Sequence, residues 1–425
     1  MASDNTAATL SANFKEIYGD SVDKVIPESA VITKEVPFSQ AYKVGDKYVV
    51  PVMLSHEHGV TYMGQNPSGS GLTLNAAIAA QYQEAQVDPS GIILRSTIGY
   101  SAADKMMSTK QAFLVWSEML VENMTSSIVK RNEIDFLYGQ SGIGVSNSAG
   151  GGGSGTQTFT LTTASWSDAI WAGMEGCEVE VFNAALSLQR GTAGSTGIFV
   201  VSAVNFDNRT VTLTGTGAAL DTIVATDVFY FKGAYVLSGT VHKSMVGLHK
   251  ILTSTSTVFN INAGTYNLWK GTESDVGTAA LTLGKIFVGV GRAVARGLQS
   301  DLLLMVNPKT FANLNSDQSA LRRYAAEKVA KNGFEYLEFY SGNGKISIRS
   351  HLFCKEGDAF GIPLQYMKRI GTTDVTFKLP NADPDNVFLH VPDKAAYELR
   401  VRSEQALFCE KPAQAVYFKN IVNAA

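Results

Sequence analysis

Charged residues are scarce in this 425-residue sequence: Asp, Glu, Lys and Arg together make up 17% of it, against about a quarter in an average soluble protein. The formal net charge is −3. A dedicated nucleic-acid binder needs a strongly basic field, and a chain this near neutrality lacks one. A container that encloses nucleic acid without gripping it is compatible with neutrality. Scarce charge beside plentiful Gly, Thr and Ser suits a surface largely buried by neighbouring copies, and it suits a β-rich secreted protein too. Cysteine is scarcer still. Cys177, Cys354 and Cys409 are odd in number and far apart, which excludes a disulfide framework or a zinc pattern and leaves free buried thiols in a reducing compartment. No run approaches the roughly eighteen apolar residues of a membrane-spanning helix. The opening MASDNTAATLSANFKEIYGD has no basic stretch followed by an apolar core, so no secretory signal is expected, and synthesis in a cytoplasm is.

Motifs that carry chemistry are missing as well. Gly289, Gly291 and Val294 in GVGRAV follow an apolar run as in a dinucleotide loop, but the third glycine is absent and the run has a helical pattern. No G-x-x-x-x-G-K and no G-x-S-x-G elbow occurs, and the cysteines have no recognisable histidine partner. His56 and His58, either side of Glu57, share a face if extended, yet a third metal ligand is not indicated. An interface or a turn is their expected setting. His242 and His249 share a face if helical, without a carboxylate at metal spacing. The carboxylate pairs Glu118/Glu122, Glu335/Glu338 and Asp383/Asp385 read as solvated. Arg322, Arg323, Lys328 and Lys331 form the densest basic patch, read as a solvated helix face, with pairing to another copy or contact with enclosed DNA as the other readings. No catalytic, cofactor-binding or metal-ligating residue is assigned, and the chain is not expected to be an enzyme.

What is present is a sequence of structural elements, too long for one ordinary core. Residues 1–35 read as an N-terminal arm, with Leu10, Phe14 and Ile17 at helical spacing and Pro27 holding its predecessor extended. VITKEVPF, YVVPVML, GVTYMG and GIILRSTIGYS read as strands around a Gly/Ser-marked tip, QNPSGSGLTLNAA. A two-stranded excursion of this kind is not stable alone in water and must lie on something. Ser108–Tyr138 is one long helix: Phe113, Trp116, Leu120, Met124 and Ile128 recur every three or four residues, Ser108 caps it and Gly139 stops it. At 1.5 Å per residue it runs roughly 45 Å. The following GQSGIGVSNSAGGGGSGT has the composition of a flexible linker. About five short strands then end near Tyr235, including a hairpin turning at Asp207 and Asn208, and predict a small β-barrel or sandwich. Mixed structure returns afterwards: a helix through LTLGKIFVGVGRAVARGL, the buried strand DLLLMV, the short helix PKTFANLN, helix then strand in LRRYAAEKVAKNGFEYLEFY, and two strands around an acidic glycine turn in ISIRSHLFCKEGDAFGIP. The chain closes on strands expected at Val387–Val391, Ala396–Arg402 and Ala415–Ile421, with an apolar knot at Ala406, Leu407 and Phe408 before Pro412.

In order and spacing these elements resemble the major capsid proteins of tailed bacteriophages, the Hong Kong 97 fold. The segments that carry the resemblance are IPESAVITKEVPF, the helix Ser108–Tyr138, TYNLWKG (Thr265–Gly271), DLLLMVNPKTFANL and the C-terminal strands. The resemblance implies an α+β fold with an N-terminal arm at 1–35 and an E-loop with flanking strands at 36–104. The spine helix of the peripheral domain follows at 105–144, an inserted β-module at 145–240, a mainly axial domain at 241–380, and C-terminal strands completing the peripheral domain at 381–425. It implies self-assembly through hexamers and pentamers into an icosahedral virion shell around double-stranded DNA, assembled in a bacterial cytoplasm. Implied partners are other copies of the chain, a separate scaffolding protein, a portal, a decoration protein on the inserted module, and DNA contacted weakly and non-specifically, with no membrane. Some family members cross-link a Lys of the excursion to a distant Asn. Lys43, Lys47 and Asn420 exist here, but nothing in the sequence brings them together and no such bond is expected. An encapsulin-like compartment is the alternative with the same fold, and a β-rich tail protein or adhesin the alternative with another.

Overall fold

The computed structural model describes residues 29–40, 43–44, 47–63, 73–101, 110–191, 197–237, 241–316, 328–331, 334–341, 344–378, 388–391 and 394–423. Residues 1–28 of the expected arm, the excursion tip around residues 64–72, the cap at Ser108 and the pairs Arg322/Arg323 and Asp383/Asp385 lie outside them.

The long helix spans Lys110–Tyr138. Its apolar stripe packs under a sheet: Leu120, Val121, Met124, Ile128 and Val129 meet Ile92, Leu94, Leu399 and Val401. Past Ile134 the helix enters the main core, where Phe136, Leu137 and Tyr138 are fully buried. It stops where expected. Gly139 N closes the last turn on Asp135 O at 2.8 Å, and a Cβ at Gly139 would lie 2.2 Å from Met245 O, so only glycine permits that approach.

Two mixed sheets organise the body. The five-stranded one runs Phe38–Ser39, Met367–Thr376, Ala396–Cys409, Phe388–His390, with Ser90–Gly99 pairing antiparallel with Ala396–Gln405 along its other edge. The seven-stranded one runs Thr272–Ala279, Val416–Ile421, Ala359–Ile362, Leu302–Val306, Gly344–Ser350, Phe334–Ser341, Lys328–Lys331. Leu302–Val306, the expected buried strand, is indeed covered on both faces, and the helix Pro308–Ser316 follows it directly. The helix Leu283–Ala295 covers the second core, with Ile286 and Val290 against Phe418 and Leu304.

The inserted module is a closed barrel. Its six strands run Gly144–Val145, Val228–Phe231, Glu178–Phe182, Ile198–Asn205, Thr210–Thr214, Thr156–Thr160. An antiparallel bridge from Ser146 to Leu161 joins the first strand to the last. Closure removes the free edges an open sheet would expose. Val179, Val181, Phe199, Val201, Val211, Leu213 and Phe229 fill the barrel.

Several expectations need correction. VITKEVPF is not a strand: Val31–Glu35 is a short helix, with Val31 and Ile32 buried. Gly59–Met63 of GVTYMG forms no strand. The glycine-rich linker is structural: Gly144 and Val145 are a barrel strand, Ile143 and Ser146 are buried, and Gly153 N is held by Asp221. The expected tether is therefore a wall of the barrel. Its core is also continuous with the body's, since Trp166, Ile170 and Trp171 share one cluster with Met245, Phe353 and Cys354. Lys328–Lys331 is strand, not helix. The apolar knot at Ala406–Phe408 continues the strand Ala396–Cys409. The C-terminal strands do not complete one sheet: Ala396–Cys409 lies in the five-stranded sheet and Val416–Ile421 in the seven-stranded one. In its last third the chain changes sheet at 363–366 and again at 410–415.

Candidate assembly surface

The excursion is a ribbon with a buried root and an uncovered length. Lys47–Met53 pairs antiparallel with Tyr82–Val87, Tyr48 opposite Val87 and Met53 opposite Tyr82. At the root, Tyr48, Ala85 and Val87 are buried in the main core. Gln86 N donates to Phe259 O at 3.0 Å, and Tyr266 Oη donates to Gln81 Oε1 at 2.8 Å. Beyond Met53, strand regularity ends and single bonds carry on, Leu54 N to Gln81 O and His58 N to Ile78 O. Of the seventeen exposed large apolar side chains among the described residues, seven lie between Met53 and Tyr82, including Tyr62 at 89% and Leu74 at 74% exposure. A Leu or Ile left in water forgoes about 1.5–3 kcal/mol relative to burial. Such a concentration on one thin ribbon marks an interaction surface.

The residues flagged for chemistry are not brought together. His56, Glu57 and His58 sit on the excursion outside any strand, and no group of three potential ligands occurs among the described residues. His242 packs against Tyr235 with ring centroids 4.6 Å apart and the ring planes tilted by 42°, while His249 is packed edge-on to Tyr417 and bonded to Ser141 Oγ at 3.0 Å. Burial lowers the basicity of both. GVGRAV lies inside the helix Leu283–Ala295. The thiols of Cys354 and Cys409 are free and buried and that of Cys177 free and partly covered. Desolvation pushes Cys409 up to about 12. Asn420 donates to Asp275 Oδ2 at 2.9 Å and Lys47 Nζ to Gln86 Oε1 at 3.3 Å, so each has a partner of its own. Two surface clefts, of about 460 and 590 Å³, lie at the root of the excursion and beside Glu338 and Lys345. In the first, Ser90 Oγ donates to Lys243 O rather than to a base.

No protein-family model matches the sequence, and no curated protein matches it significantly. Solved structures do match. A chain of the cyanophage A-1(L) capsid asymmetric unit aligns over 98% of this chain and 99% of its own at 10% identity, with a TM-score of 0.50. The chain has a Hong Kong 97-type capsid fold. Weaker likenesses are to a chain of Mycobacterium phage Adephagia (10% identity, 100% of both chains, TM-score 0.47) and to one of the holo-SrpI encapsulin complex from Synechococcus elongatus PCC 7942 (8% identity, 99% and 96%, TM-score 0.43). These two carry no argument of their own.

Within this capsid fold, the long helix is the spine and the ribbon the E-loop. Sequence reading missed a set of buried charges around the end of the spine helix. Lys355, buried, donates to Gly142 O at 3.0 Å and sits 4.0 Å over the Tyr138 ring. Desolvation lowers it to about 8, against the pull of Asp358. Asp358 Oδ1 accepts from Tyr417 Oη at 2.7 Å. Glu356 accepts from Lys309 Nζ at 2.7 Å and faces Arg209 of the barrel at 3.7 Å. Asp135 is raised to about 6 by burial, with Arg131 opposing. These groups bond to backbone and to each other, so their arrangement joins barrel, helix and sheets. The acidic glycine turn KEGDA was the one legible signal for them.

Proposed function

We propose that the chain is a capsid shell subunit, a major capsid protein that assembles through hexamers and pentamers into an icosahedral shell around double-stranded DNA. The observation that carries this reading is the E-loop: a ribbon rooted in the core whose outer length leaves Tyr62, Leu74 and Ile78 uncovered. Another copy supplies the missing cover, because only a neighbour repeats with the regularity that a closed assembly requires. The shell would be the virion capsid, assembled in the cytoplasm of a bacterial host. A scaffolding protein and a portal belong to this reading, as do a decoration protein on the barrel and weak, non-specific contact with the enclosed DNA. The arm at 1–35, the mainly axial domain at 241–380 and the C-terminal peripheral strands at 381–425 take their roles from the same proposal. Its chemistry is contact geometry, each interface burying about 1,000–2,000 Å².

Electron microscopy of the purified chain tests the proposal. Closed shells of uniform diameter are expected. A chain that stays monomeric or trimeric at high concentration, with its E-loop intact, refutes it. Nuclease-protected DNA in particles from producing cells distinguishes a DNA container from a compartment that holds protein cargo.

A further inference from the structure

The two sheets meet at two short crossings that lie side by side. Ala359–Ile362 leaves the seven-stranded sheet, passes Pro363 and the tight turn Leu364–Tyr366, and becomes Met367–Thr376 of the five-stranded sheet. Ala396–Cys409 crosses the other way through Pro412–Gln414 into Val416–Ile421. The crossings are laced together. Glu410 N donates to Tyr366 O at 3.0 Å, Lys411 Nζ lies 4.1 Å over the Tyr366 ring, and Lys368 pairs with Glu410.

A third piece of chain, residues 31–39, is seated against this junction by buried charges from three elements. Glu133 of the spine helix accepts from Thr33 N at 2.7 Å and Ile32 N at 3.2 Å. Its second partner is His351, 3.3 Å away at the end of Gly344–Ser350. Phe353 N donates to His351 Nδ1, so Nε2 carries the proton and donates it to the carboxylate. Arg369, three residues past Tyr366, donates to Val36 O and Thr33 O at 2.9 and 3.0 Å, and also to Asp374 and Gln405. Arg349 of the seven-stranded sheet donates to Glu35 at 3.1 Å. Glu133, Arg349 and Arg369 are at most 4% exposed. Phe38 and Ser39 then add a parallel strand beside Arg369 and Ile370.

We infer that residues 31–39 are a latch on this junction: seated, they hold the two sheets in one arrangement, and withdrawn, they loosen both crossings. The reason is electrostatic. Without the segment, Glu133 loses two N–H donors, Arg369 two carbonyls and Arg349 a carboxylate, all inside the protein. Glu133 keeps His351 and Arg369 keeps Asp374 and Gln405, but buried charges that lose part of their partner set stay unfavourable until water replaces the lost groups, and water reaches them only if the surrounding elements part. Withdrawal therefore cannot stay local. A pull on the chain ahead of Val31 is transmitted to the angle between the sheets. Its use in reshaping a shell rests on the function proposed above; the latch itself does not.

Hydrogen exchange read by mass spectrometry on the full chain tests this with Ile32→Asp, which expels a buried strap residue, and Glu133→Gln, which keeps the shape and weakens the seat. In Ile32→Asp, the amides of Val36, Tyr366, Glu410 and Ala415 are expected to exchange roughly tenfold or more faster together, while barrel amides such as Val211 keep their rates. Glu133→Gln shifts the same set by less. Faster exchange at Val36 with unchanged rates at Tyr366, Glu410 and Ala415 overturns the latch. If Ile32→Asp unfolds the chain, seen as lost barrel protection, Glu133→Gln decides: a joint rise supports the latch, and a strap-only change or no change refutes it. Shell formation plays no part in the readout, so failure of the shell reading leaves the result intact.

Discussion

Asn132 on the spine helix donates its side-chain amide to Ser403 Oγ at 3.1 Å across 271 residues of chain, with both residues buried. Ser403 also accepts from Gln405 Nε2 at 2.8 Å, and Gln405 Oε1 accepts from Arg369. A polar chain thus runs from the helix through the strand Ala396–Cys409 to the junction of the sheets, beside the apolar contact of Ile128 and Met124 with Leu399 and Val401. Asn132→Ala is expected to cost about 1–3 kcal/mol, because it leaves buried groups short of a partner. Ile128→Asp puts an unpaired charge beneath the helix and should cost about 4 kcal/mol or more. Urea midpoints at unchanged slope measure the first, and loss of soluble chain the second. Wild-type stability for Ile128→Asp would contradict the packing of helix on strand.

The helix and its partner strand were legible because each repeats its signal over many residues: Leu120, Met124 and Ile128 at helical steps, Leu399 and Val401 at strand steps. The barrel strands were legible for the same reason, with Asp207 and Asn208 marking a turn. Single long-range contacts override such patterns elsewhere. Val31, Ile32 and Thr33 favour strand by their branched side chains, yet Glu133 takes two of their amides and a helical turn results. The glycines after Tyr138 have the composition of a linker, yet a Cβ at Gly150 would lie 2.1 Å from Leu220 O, so close packing accounts for that one. The E-loop could be inferred as a surface in need of cover. The buried charges could not, because Glu133 or Lys355 looks the same in sequence whether water surrounds it or Tyr138 does.

Asp135 and Lys355 should make stability depend on pH in opposite windows. Asp135 titrates at about 6 in the folded chain against 3.8 as its reference. The folded state holds that proton more tightly, so its contribution is present below pH 3.8 and is lost as pH rises to about 6. The amount is roughly 3 kcal/mol. Lys355 titrates at about 8 against 10.5. Here the unfolded chain holds the proton more tightly, so stability rises as pH climbs from about 8 to 10.5. Asp135→Asn should flatten the acid window and leave the alkaline one, and Lys355→Met should do the reverse. Chemical denaturation across pH checks both, and a variant curve parallel to wild type in its own window would overturn the assignment for that group.

The uncovered side chains of the E-loop should matter to assembly and not to the folded subunit. Tyr62, Leu74 and Ile78 are more than half exposed, so replacing them together with Ser should change the stability of the isolated chain by no more than about 0.5 kcal/mol. Shell yield in electron micrographs should fall sharply, because each residue loses the burial that a neighbour provides. Equal shell yield would move the assembly surface elsewhere. A large drop in the melting temperature of the unassembled chain would show that the ribbon packs on its own body.

The barrel should behave as a rigid part of the subunit, and Gly357 is where that is most exposed to test. A Cβ there would lie 2.7 Å from Ala164 Cβ and 2.8 Å from Ala164 O, both on the barrel side. Gly357 N donates to Ala164 O at 3.1 Å and Glu356 N to Trp166 O at 2.9 Å, so the turn and the barrel approach backbone to backbone. Gly357→Val cannot be absorbed by a rotamer change and must push the two apart. The displacement should break the pairing of Glu356 with Arg209 while sparing its bond to Lys309, which lies on the body side. The barrel's six strands close on themselves, so their amide protection is expected to survive. The junction amides of Glu356 and Gly357 should open, and the cost should be about 1–3 kcal/mol. Cryo-electron microscopy should then show the barrel at a changed or variable angle to the body. A barrel held at its wild-type angle in Gly357→Val would mean that the shared core around Trp166, Trp171 and Phe353 fixes it without the turn.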